Sequence, residues 1–461
     1  MDLTNEQKDI ISETSKRIEV QAGPGTGKTT LSIEYAKANI SSRILYLVYS
    51  EPSKRAARGR FPSNVEVHSS HSFAFHEIGV LYDTKLINNI KVHHILERFP
   101  DIEEKQDDPA AFAFSVLGLI ESFSLSAISE FEDLGIEGEA VEYAKTFFEE
   151  SVTPESTTPI SHDILLKLYY IFNEDLTAKY DIIIIDEYQD MTPVVSGLVS
   201  RFEGRILMIG DNNQRIYGFR GGRGLISGER PIKKSLTYSF RFGTEIALMA
   251  NVILWKMKNI SPEDYMLTGV GNDEIVESIS GQRTFISRTN ATLIEAAISE
   301  HRKGNKVYIN GGVSGVKKEA VDIYNLMIGN KEAIKNPWIK KFKNYYSFKV
   351  YAQNSGDMEA KYVVNLIDKY GSDFGDVLKV LDIVSCGSAE GAPTILTTAH
   401  KAKGLEWNSV EIADDFADLY SKADKLKNDV DVEELNLLYV AVTRGIRELK
   451  LNKDLLRLIG E

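Results

Sequence analysis

The sequence predicts an α/β fold built on parallel sheets, and two stretches carry that prediction. The first is VQAGPGTGKTTL at residues 20–31, a glycine-rich loop with a strand-like segment before it and a helical segment after it. The second is YDIIIIDEYQD at residues 180–190, where four isoleucines lead directly into two carboxylates. A short run that is apolar at every position is typical of a central parallel strand covered on both faces.

The glycine-rich loop is suited to a phosphate chain. In such loops backbone N–H groups surround a polyphosphate at a helix N-terminus, a lysine contacts the terminal phosphates, and a hydroxyl binds Mg²⁺. A structural turn that happens to end in Lys-Thr explains the flanking pattern less well. The first position of the general pattern is glycine, and this sequence has alanine there. The residues assigned to nucleotide binding are Ala22, Gly23, Gly25, Thr26, Gly27, Lys28, Thr29 and Thr30.

Two carboxylates follow the isoleucine strand at the sheet edge where open α/β folds bind ligands. Asp186 is placed to hold Mg²⁺, together with Thr29, and Glu187 is placed to polarise an attacking water. Phosphoryl transfer requires this division of roles. Loop and carboxylates together predict an ATPase that uses ATP and Mg²⁺.

Composition limits the class of protein. The 461 residues suggest two to four domains at about 150 residues each. The single cysteine, Cys386, excludes an intrachain disulfide and fits a reducing compartment. The sequence shows neither a signal-peptide pattern nor an apolar stretch of about 18 residues. We therefore expect an intracellular, cytoplasmic protein without a membrane span.

The formal net charge of −13 is concentrated in one segment. Residues 101–155 carry 15 Asp or Glu against two Lys, so the rest of the chain is balanced. Helical periodicity continues through residues 76–162, which predicts a helical insert. A solvated face is the simplest explanation of its charge, and a surface for a protein partner is the alternative. The overall charge therefore does not argue against a nucleic-acid groove elsewhere.

Several longer motifs resemble one family of enzymes. DEYQD at residues 186–190 and GDNNQRIYGFRGG at residues 210–222 are similar to motifs of superfamily 1 DNA helicases of the UvrD/Rep type. The resemblance continues in LTYSFRF at residues 236–242, LTTAHKAKGLEW at residues 396–407 and LNLLYVAVTRGIR at residues 435–447. FISRT at residues 285–289 and ADDF at residues 413–416 most resemble the helicase core of the F-box DNA helicases. An F-box itself is not expected, because too few residues precede Gln7.

The resemblance implies two RecA-like P-loop NTPase domains, 1A and 2A, which hold ATP between them. Domain 1A is expected at residues 1–75 and 163–234, with the acidic helical insert 1B at residues 76–162. Domain 2A is expected at residues 235–315 and 393–461, with a small insert, 2B, at residues 316–392.

The resemblance also assigns roles around the nucleotide. Gln214 matches the γ-phosphate sensor, and Arg241 and Arg444 match two arginines that reach the γ-phosphate from domain 2A. Phe240 matches the aromatic residue that stacks on adenine, and Glu406 matches the residue at the ribose. Gln7 matches the glutamine that reads the adenine edge. Its spacing from Thr4 also predicts a helix capping box, and both roles remain open.

The implied activity is an ATP-dependent translocase on single-stranded DNA, with 3′ to 5′ polarity, that unwinds duplex DNA or displaces bound proteins. Such a protein associates with the nucleoid or other DNA, including junctions of single and double strands. The rival hypothesis is an ATP-gated DNA-binding subunit of a repair or defence complex that does not unwind, and RNA is a further candidate track. The residues matched to DNA contacts are Tyr49, His71, Tyr217, Phe219, Arg220, Thr398 and His400.

Three features depart from the family pattern or leave alternatives open. Tyr188 stands where the family motif usually has alanine, and Glu51 stands where a phosphate contact is common. The run WIKKFKNYYSFKVY at residues 338–351 interleaves lysines with aromatic residues. That pattern fits a nucleic-acid grip or a core hairpin with lysines on its wet face.

Overall fold

The computed structural model describes residues 2–48, 51–172, 176–216, 230–354, 357–421, 423 and 425–460. The chain forms two compact units, which are described separately here. Unit 1 comprises Met1–Gly23 and Gly27–Leu236, and unit 2 comprises Pro24–Thr26 and Thr237–Glu461. Across the described residues, no helix has the length and apolarity needed to cross a bilayer.

Unit 1 is built on a sheet of six parallel strands. The strands that the structure describes in unit 1, inside and outside this sheet, are β1 (Arg17–Ala22), β2 (Ile44–Val48), β3 (Val65–Ser69), β4 (Leu86–Ile87), β5 (Ile160–Ser161), β6 (Ile182–Asp186), β7 (Arg205–Gly210) and β8 (Ile232–Leu236). The sheet has the order β3-β2-β6-β7-β1-β8, and β4 pairs with β5 outside it. Every pairing is parallel. The parallel-sheet prediction is therefore confirmed for this unit.

The isoleucine strand β6 lies inside this sheet, between β2 and β7. Ile182 and Ile184 pack into the hydrophobic core on one side of the sheet, and Ile183 and Ile185 pack into the core on the other. Successive side chains of a strand point to opposite faces, so a strand with helices on both sides must be apolar throughout. The strand ends at Asp186.

The helices of unit 1 cover both faces of the sheet and form a separate cluster within residues 82–168. They are α1 (Asn5–Ser12), α2 (Lys28–Ala38), α3 (Glu51–Ala57), α4 (Ser70–Ile78), α5 (Val92–Arg98), α6 (Asp101–Lys105), α7 (Pro109–Leu125), α8 (Glu139–Ser151), α9 (His162–Phe172), α10 (Leu176–Lys179) and α11 (Pro193–Ser200). Helices α5 to α8 share a hydrophobic core with part of α9. This core supports the proposed helical insert, whose limits stay a prediction.

Unit 2 contains a second parallel sheet of six strands. Its strands are β9 (Tyr238–Ser239), β10 (Thr268–Gly269), β11 (Glu274–Ile275), β12 (Arg283–Ser287), β13 (Val307–Ile309), β14 (Thr394–Thr398), β15 (Trp407–Ile412) and β16 (Gly445–Lys450). The sheet has the order β11-β16-β15-β12-β14-β13, and β9 pairs with β10. All these pairings are parallel. Each unit therefore has the α/β architecture that the sequence predicts.

The helices of unit 2 are α12 (Thr244–Val252), α13 (Asn290–Arg302), α14 (Val313–Met327), α15 (Pro337–Lys340), α16 (Tyr345–Asn354), α17 (Met358–Tyr370), α18 (Phe374–Val384), α19 (Ala399–Ala402), α20 (Val432–Val442) and α21 (Lys453–Gly460). Helices α14 to α18 lie within the predicted small insert at residues 316–392 or reach its edge. They share one hydrophobic core with α13 and β13. The limits of this insert also stay a prediction.

The hairpin considered for residues 338–351 is wrong, because this segment is helical in α15 and α16. Trp338, Phe342, Phe348 and Tyr351 pack against one another with ring centroids 4.8–5.9 Å apart. Aromatic side chains at helical spacing close a core more often than they hold a base. Tyr346, in the same segment, lies outside this aromatic cluster and is 74% exposed.

Candidate functional site

The glycine-rich loop has a backbone that requires glycine at two of its positions. Gly25 has φ +75° and Gly27 has φ +82°, in the left-handed region that L side chains rarely adopt. Helix α2 begins directly afterwards at Lys28, so the N–H groups of its first turn point into the loop. A loop of this shape at a helix N-terminus fits a phosphate group.

Gln7 forms the capping box that its spacing from Thr4 predicts, and its role at the adenine edge stays a prediction. Its side-chain oxygen accepts from Thr4 N at 3.0 Å, and Thr4 Oγ1 accepts from Gln7 N at 3.1 Å, which completes a capping box for α1. Its amide nitrogen faces the loop, because a methyl group at Gly27 would lie 3.0 Å from Gln7 Nε2. Capping therefore occupies the oxygen and orients the amide group toward the loop.

Lys28 lies between the loop and the carboxylates. Its ammonium nitrogen is 3.4 Å from the carbonyl oxygen of Ala22 and 3.4 Å from Glu187 Oε1. Both contacts are long for charged hydrogen bonds. A phosphate oxygen near this nitrogen therefore competes with weak partners.

Asp186 is held by a buried tyrosine from β2. Tyr46 donates its hydroxyl hydrogen to Asp186 Oδ2 at 2.6 Å, and the backbone N–H of Glu187 donates to Asp186 Oδ1 at 3.1 Å. Burial, followed by the charge of Glu187, raises the pKa of Asp186 well above the ordinary range of an aspartate. A buried carboxylate beside a second carboxylate is a suitable place for a divalent cation, so these residues fit Mg²⁺.

Glu187 has a strained backbone. Its φ of +54° and ψ of +45° lie in the left-handed region, which is uncommon for residues other than glycine. Gln189 donates its amide hydrogen to Glu187 Oε2 at 2.5 Å. Strain of this kind persists where neighbouring contacts hold the residue in place, and it concentrates at functional sites.

Asp211 connects Glu187 to the predicted phosphate sensor. Its backbone N–H donates to Gln189 Oε1 at 2.9 Å, and Gln189 in turn donates to Glu187. Its Oδ2 accepts from Gln214 Nε2 at 2.8 Å, and the backbone N–H of Gln214 donates to the Asp211 carbonyl oxygen at 2.9 Å. The sequence predicts roles for Glu187 and Gln214 separately, and Gln189 and Asp211 join them.

A cavity of about 600 Å³ adjoins the two carboxylates in unit 1. Asp186 and Glu187 line one part of it, and His71 and Asp163 line another. His71 Nε2 is 2.8 Å from Asp163 Oδ1. The predicted DNA residue His71 therefore lies on the same cavity as the predicted catalytic residues, held by a carboxylate of its own unit.

In unit 2, the two predicted arginines contact acceptors of their own unit. Arg241 donates through Nε to Glu406 Oε2 at 2.7 Å and through Nη1 to the carbonyl oxygen of Thr443 at 3.0 Å. Arg444 is buried, and its Nε donates to the carbonyl oxygen of Val440 at 2.8 Å. Thr443 thus lies between the two arginines, next to Arg444 in sequence and in contact with both.

Phe240 presents an aromatic face to solvent, since it is 38% exposed. It lines a cavity of about 810 Å³ in unit 2 together with Arg241, Asp273 and Arg447. An exposed ring beside a cavity is free to stack on a base. Its assignment to adenine stays a prediction.

Two predicted DNA residues of unit 2 lie where β14 meets α19. Thr398 caps α19, and its hydroxyl accepts from Lys401 N at 3.4 Å. Burial, followed by the charges of Arg288 and Lys403, lowers the pKa of His400 to about 4. His400 is therefore a neutral side chain near neutral pH. Four other predicted contacts, Tyr49, Tyr217, Phe219 and Arg220, lie outside the described residues.

Comparisons with known proteins agree with the motifs. The model of the UvrD/REP helicase N-terminal domain matches residues 3–226, and the model of the UvrD-like helicase C-terminal domain matches residues 388–453. Together these matches cover more than half of the chain. The chain belongs to the UvrD/Rep helicase family. The resemblance and the two RecA-like P-loop folds that it implies are thereby confirmed.

Individual relatives of this UvrD/Rep helicase extend the comparison over nearly its full length. F-box DNA helicase protein 1 of Schizosaccharomyces pombe is 29% identical over 99% of this chain and 58% of its own length. F-box DNA helicase 1 of Gallus gallus is 28% identical over 99% of this chain and 50% of its own length. The ATP-dependent DNA helicase PcrA of Staphylococcus aureus is 20% identical over 82% of this chain. The chain thus spans between half and three fifths of the F-box relatives that it matches.

The sequence of this UvrD/Rep helicase did not single out several side chains that position the site. Tyr46 lies in an apolar strand, where the single hydroxyl among aliphatic neighbours was the available signal. Glu19 and Gln21 alternate with the buried residues of β1. Polar side chains at alternate positions of a central strand are unusual, and this pattern could have identified them.

Proposed function

We propose that this chain is an ATP-dependent DNA helicase that moves along single-stranded DNA, in the 3′ to 5′ direction, and separates duplexes or displaces bound proteins. One observation carries the proposal. The ammonium of Lys28, at the N-terminus of α2, lies 3.4 Å from Glu187, next to the buried Asp186. A phosphate-binding lysine beside a metal-type and a base-type carboxylate is the arrangement that ATP hydrolysis needs.

We assign the following roles to the residues around the phosphates. The loop from Gly23 to Gly27 surrounds the phosphates with N–H groups, and Lys28 contacts their terminal oxygens. Glu187, held by Gln189, orients the attacking water and accepts its proton. Thr29 and Asp186 hold Mg²⁺, which when bound neutralises phosphate charge.

The remaining residues supply coupling and base recognition. Gln214 senses the γ-phosphate, and Arg241 and Arg444 stabilise the charge that develops on it. Phe240, Gln7 and Glu406 bind the adenosine part of ATP. His71, Thr398 and His400, with Tyr49, Tyr217, Phe219 and Arg220, contact the single strand. Exposed aromatic faces hold bases without reading their sequence, as a translocase requires.

ATP hydrolysis is the first test, measured with and without single-stranded DNA. Lys28→Ala should abolish the DNA-stimulated rate, because it removes the charge that binds the terminal phosphates. Lys37→Ala is the matched control, since Lys37 lies on the same helix and pairs with Glu34 on the surface. Full activity of the Lys28 variant, or equal loss in both variants, would contradict the site assignment.

Strand separation is the second test and distinguishes the helicase from its rival. Labelled duplexes with a 3′ tail, a 5′ tail or no tail are incubated with the wild-type chain and ATP. Separation of the 3′-tailed duplex supports the proposal. DNA-stimulated hydrolysis without separation of any duplex supports an ATP-gated DNA-binding subunit, and equal stimulation by RNA would widen the substrate class.

Two further assignments belong to the same proposal. The acidic segment at residues 101–155 is a surface for a protein partner, and the protein works inside the cell on DNA, including single-strand/double-strand junctions. A variant with the acidic residues of α8 neutralised should retain hydrolysis and unwinding while losing any partner that the wild-type chain binds. If this variant still binds the partner, the acidic residues form a solvated surface and not a binding site.

A further inference from the structure

Tyr188 reaches from the end of β6 across β7 to β1. Its hydroxyl donates to Glu19 Oε1 at 2.8 Å and accepts from the side-chain amide of Asn212 at 2.8 Å. Because β7 lies between β6 and β1 in the sheet, the tyrosine has to cross a strand. Gly210, the last residue of β7, makes the crossing possible, since a methyl group there would lie 2.7 Å from the tyrosine ring.

The tyrosine and the glutamate suit each other chemically. Tyr188 is 3% exposed, and its phenol donates to the carboxylate of Glu19. Glu19 lies on β1, on the sheet face opposite Ile18 and Val20, where a charge needs such a donor.

The network continues to the turn that carries the phosphate sensor. Asn212 donates to Gln21 Oε1 through both its backbone and its side-chain nitrogen, at 3.2 Å each. Gln21 Nε2 donates to Asp211 Oδ1 at 2.7 Å, and Asp211 accepts from Gln214. Tyr188 and Gln21 therefore both contact Asn212, the first residue of the short helix Asn212–Gln214, and Gln21 also contacts its N-cap, Asp211.

The strand at the other end of this network leads into the phosphate loop. Residues Glu19 and Gln21 lie on β1, which ends at Ala22, and the loop begins at Gly23. Tyr188 itself follows Glu187 in sequence. The Tyr188 hydroxyl thus joins the sensor turn to the strand of the phosphate loop, and the backbone of Tyr188 continues directly from Glu187.

We propose that Tyr188 and Glu19 are positioning residues, which fix the turn of Gln214 relative to Glu187 and the phosphate loop and so increase the rate of ATP turnover. The proposal rests on the proposed ATPase function. It gives a role to the position where the UvrD/Rep motif usually has alanine. Neither residue touches the nucleotide, so the effect is expected on kcat and not on the KM for ATP.

The test uses single hydroxyl removals in the full chain. Tyr188→Phe keeps the ring and removes the hydrogen bonds, and loss of a charge-assisted hydrogen bond should lower the DNA-stimulated kcat about tenfold. The KM for ATP should stay close to the wild-type value, and the melting temperature should fall no further than in Tyr180→Phe, since each variant removes one tyrosine–carboxylate hydrogen bond. Tyr180→Phe is the matched control, because Tyr180 donates to Glu66 at 2.6 Å in the same unit, away from the carboxylates.

Glu19 provides an independent arm. Glu19→Gln keeps an acceptor for the tyrosine and should retain most of the activity, whereas Glu19→Leu should reproduce the Tyr188→Phe defect. The double variant Tyr188→Phe with Glu19→Leu should lose no more activity than either single variant, because both remove the same contact. Additive losses would overturn the proposal.

The remaining outcomes separate this proposal from the proposed function. If Tyr188→Phe keeps the wild-type kcat, or matches Tyr180→Phe in kcat and melting temperature, the positioning role is wrong and the ATPase assignment stands. A rise in KM that accounts for the whole defect also overturns it. If the wild-type chain shows no DNA-stimulated hydrolysis, or Lys28→Ala retains it, the ATPase assignment fails first.

Discussion

The candidate sites of unit 1 and unit 2 differ in how their charged groups are partnered. In unit 1, Asp186 accepts from two neutral donors, the Tyr46 hydroxyl and the backbone N–H of Glu187, whereas Glu187 accepts from the Gln189 amide and lies 3.4 Å from the Lys28 ammonium. In unit 2, Arg241 donates to a carboxylate, Glu406, and to a backbone carbonyl group. The neutral donors leave the negative charge of Asp186 available to a cation, whereas the Glu406 carboxylate already neutralises the charge of Arg241.

The difference indicates that unit 1 needs less rearrangement than unit 2 before it binds a ligand. Exchanging a neutral hydrogen-bond donor for a metal ion or a water costs little, so unit 1 is ready for its ligand. A guanidinium group that moves to a phosphate must first leave a charged partner that competes with it. Substitutions in unit 1 should therefore affect the chemical step most. Substitutions in unit 2 should show how strongly Glu406 competes with a phosphate for the guanidinium group of Arg241.

The largest effect is expected for Glu187→Gln. The amide cannot accept a proton from the attacking water, and loss of a general base lowers turnover about 10²- to 10⁴-fold. ATP binding, measured by filter retention, should persist, because the phosphate loop is unchanged. Glu34→Gln, on the exposed side of α2, is the control. Near-normal turnover by the Glu187 variant would assign that carboxylate a structural role.

A smaller effect is expected for Arg241→Ala. Removing one group that stabilises charge in the transition state costs about 10²-fold in kcat. Lys369→Ala controls for a lost surface charge of unit 2, since Lys369 pairs with Glu295 on the surface. If Arg241 serves only to neutralise Glu406, then Arg241→Ala combined with Glu406→Gln should restore turnover. Restoration would remove the arginine from the catalytic group.

The comparison also explains what the sequence could predict. Local patterns decide the loop at residues 22–30 and strand β6, because sterics at two glycines and burial on two faces leave few alternatives. Tyr46 lies on β2 and Asp211 directly follows β7, whereas Asp186 ends β6. Their proximity depends on the strand order β2-β6-β7, which short-range periodicity does not encode.

The helical segment at residues 338–351 shows where pattern reading failed. Alternating lysines and aromatic residues suggest a strand with a wet face, yet Trp338, Phe342 and Phe348 close the core of a helical insert. Their spacings are four and six residues, which both fit the two-residue period of a strand, and a spacing of four also fits a helix. The choice between helix and strand depends on the neighbouring helices, because they supply the apolar surface that the aromatic side chains cover.

The smallest effect is expected for the pH dependence of stability that arises from His400. Its pKa of about 4 lies under the ordinary value of 6.5, so the folded chain binds fewer protons there than the unfolded chain between these pH values. The resulting stability is complete above pH 6.5 and falls as the pH drops toward 4, by about 3 kcal/mol at most. His400→Gln should flatten that part of the dependence in urea unfolding measured from pH 7 to 4.5. His301→Gln, at an exposed position of unit 2, should follow the wild-type curve. Equal slopes for wild type and His400→Gln would show that burial, together with Arg288 and Lys403, does not hold this imidazole neutral in the folded chain.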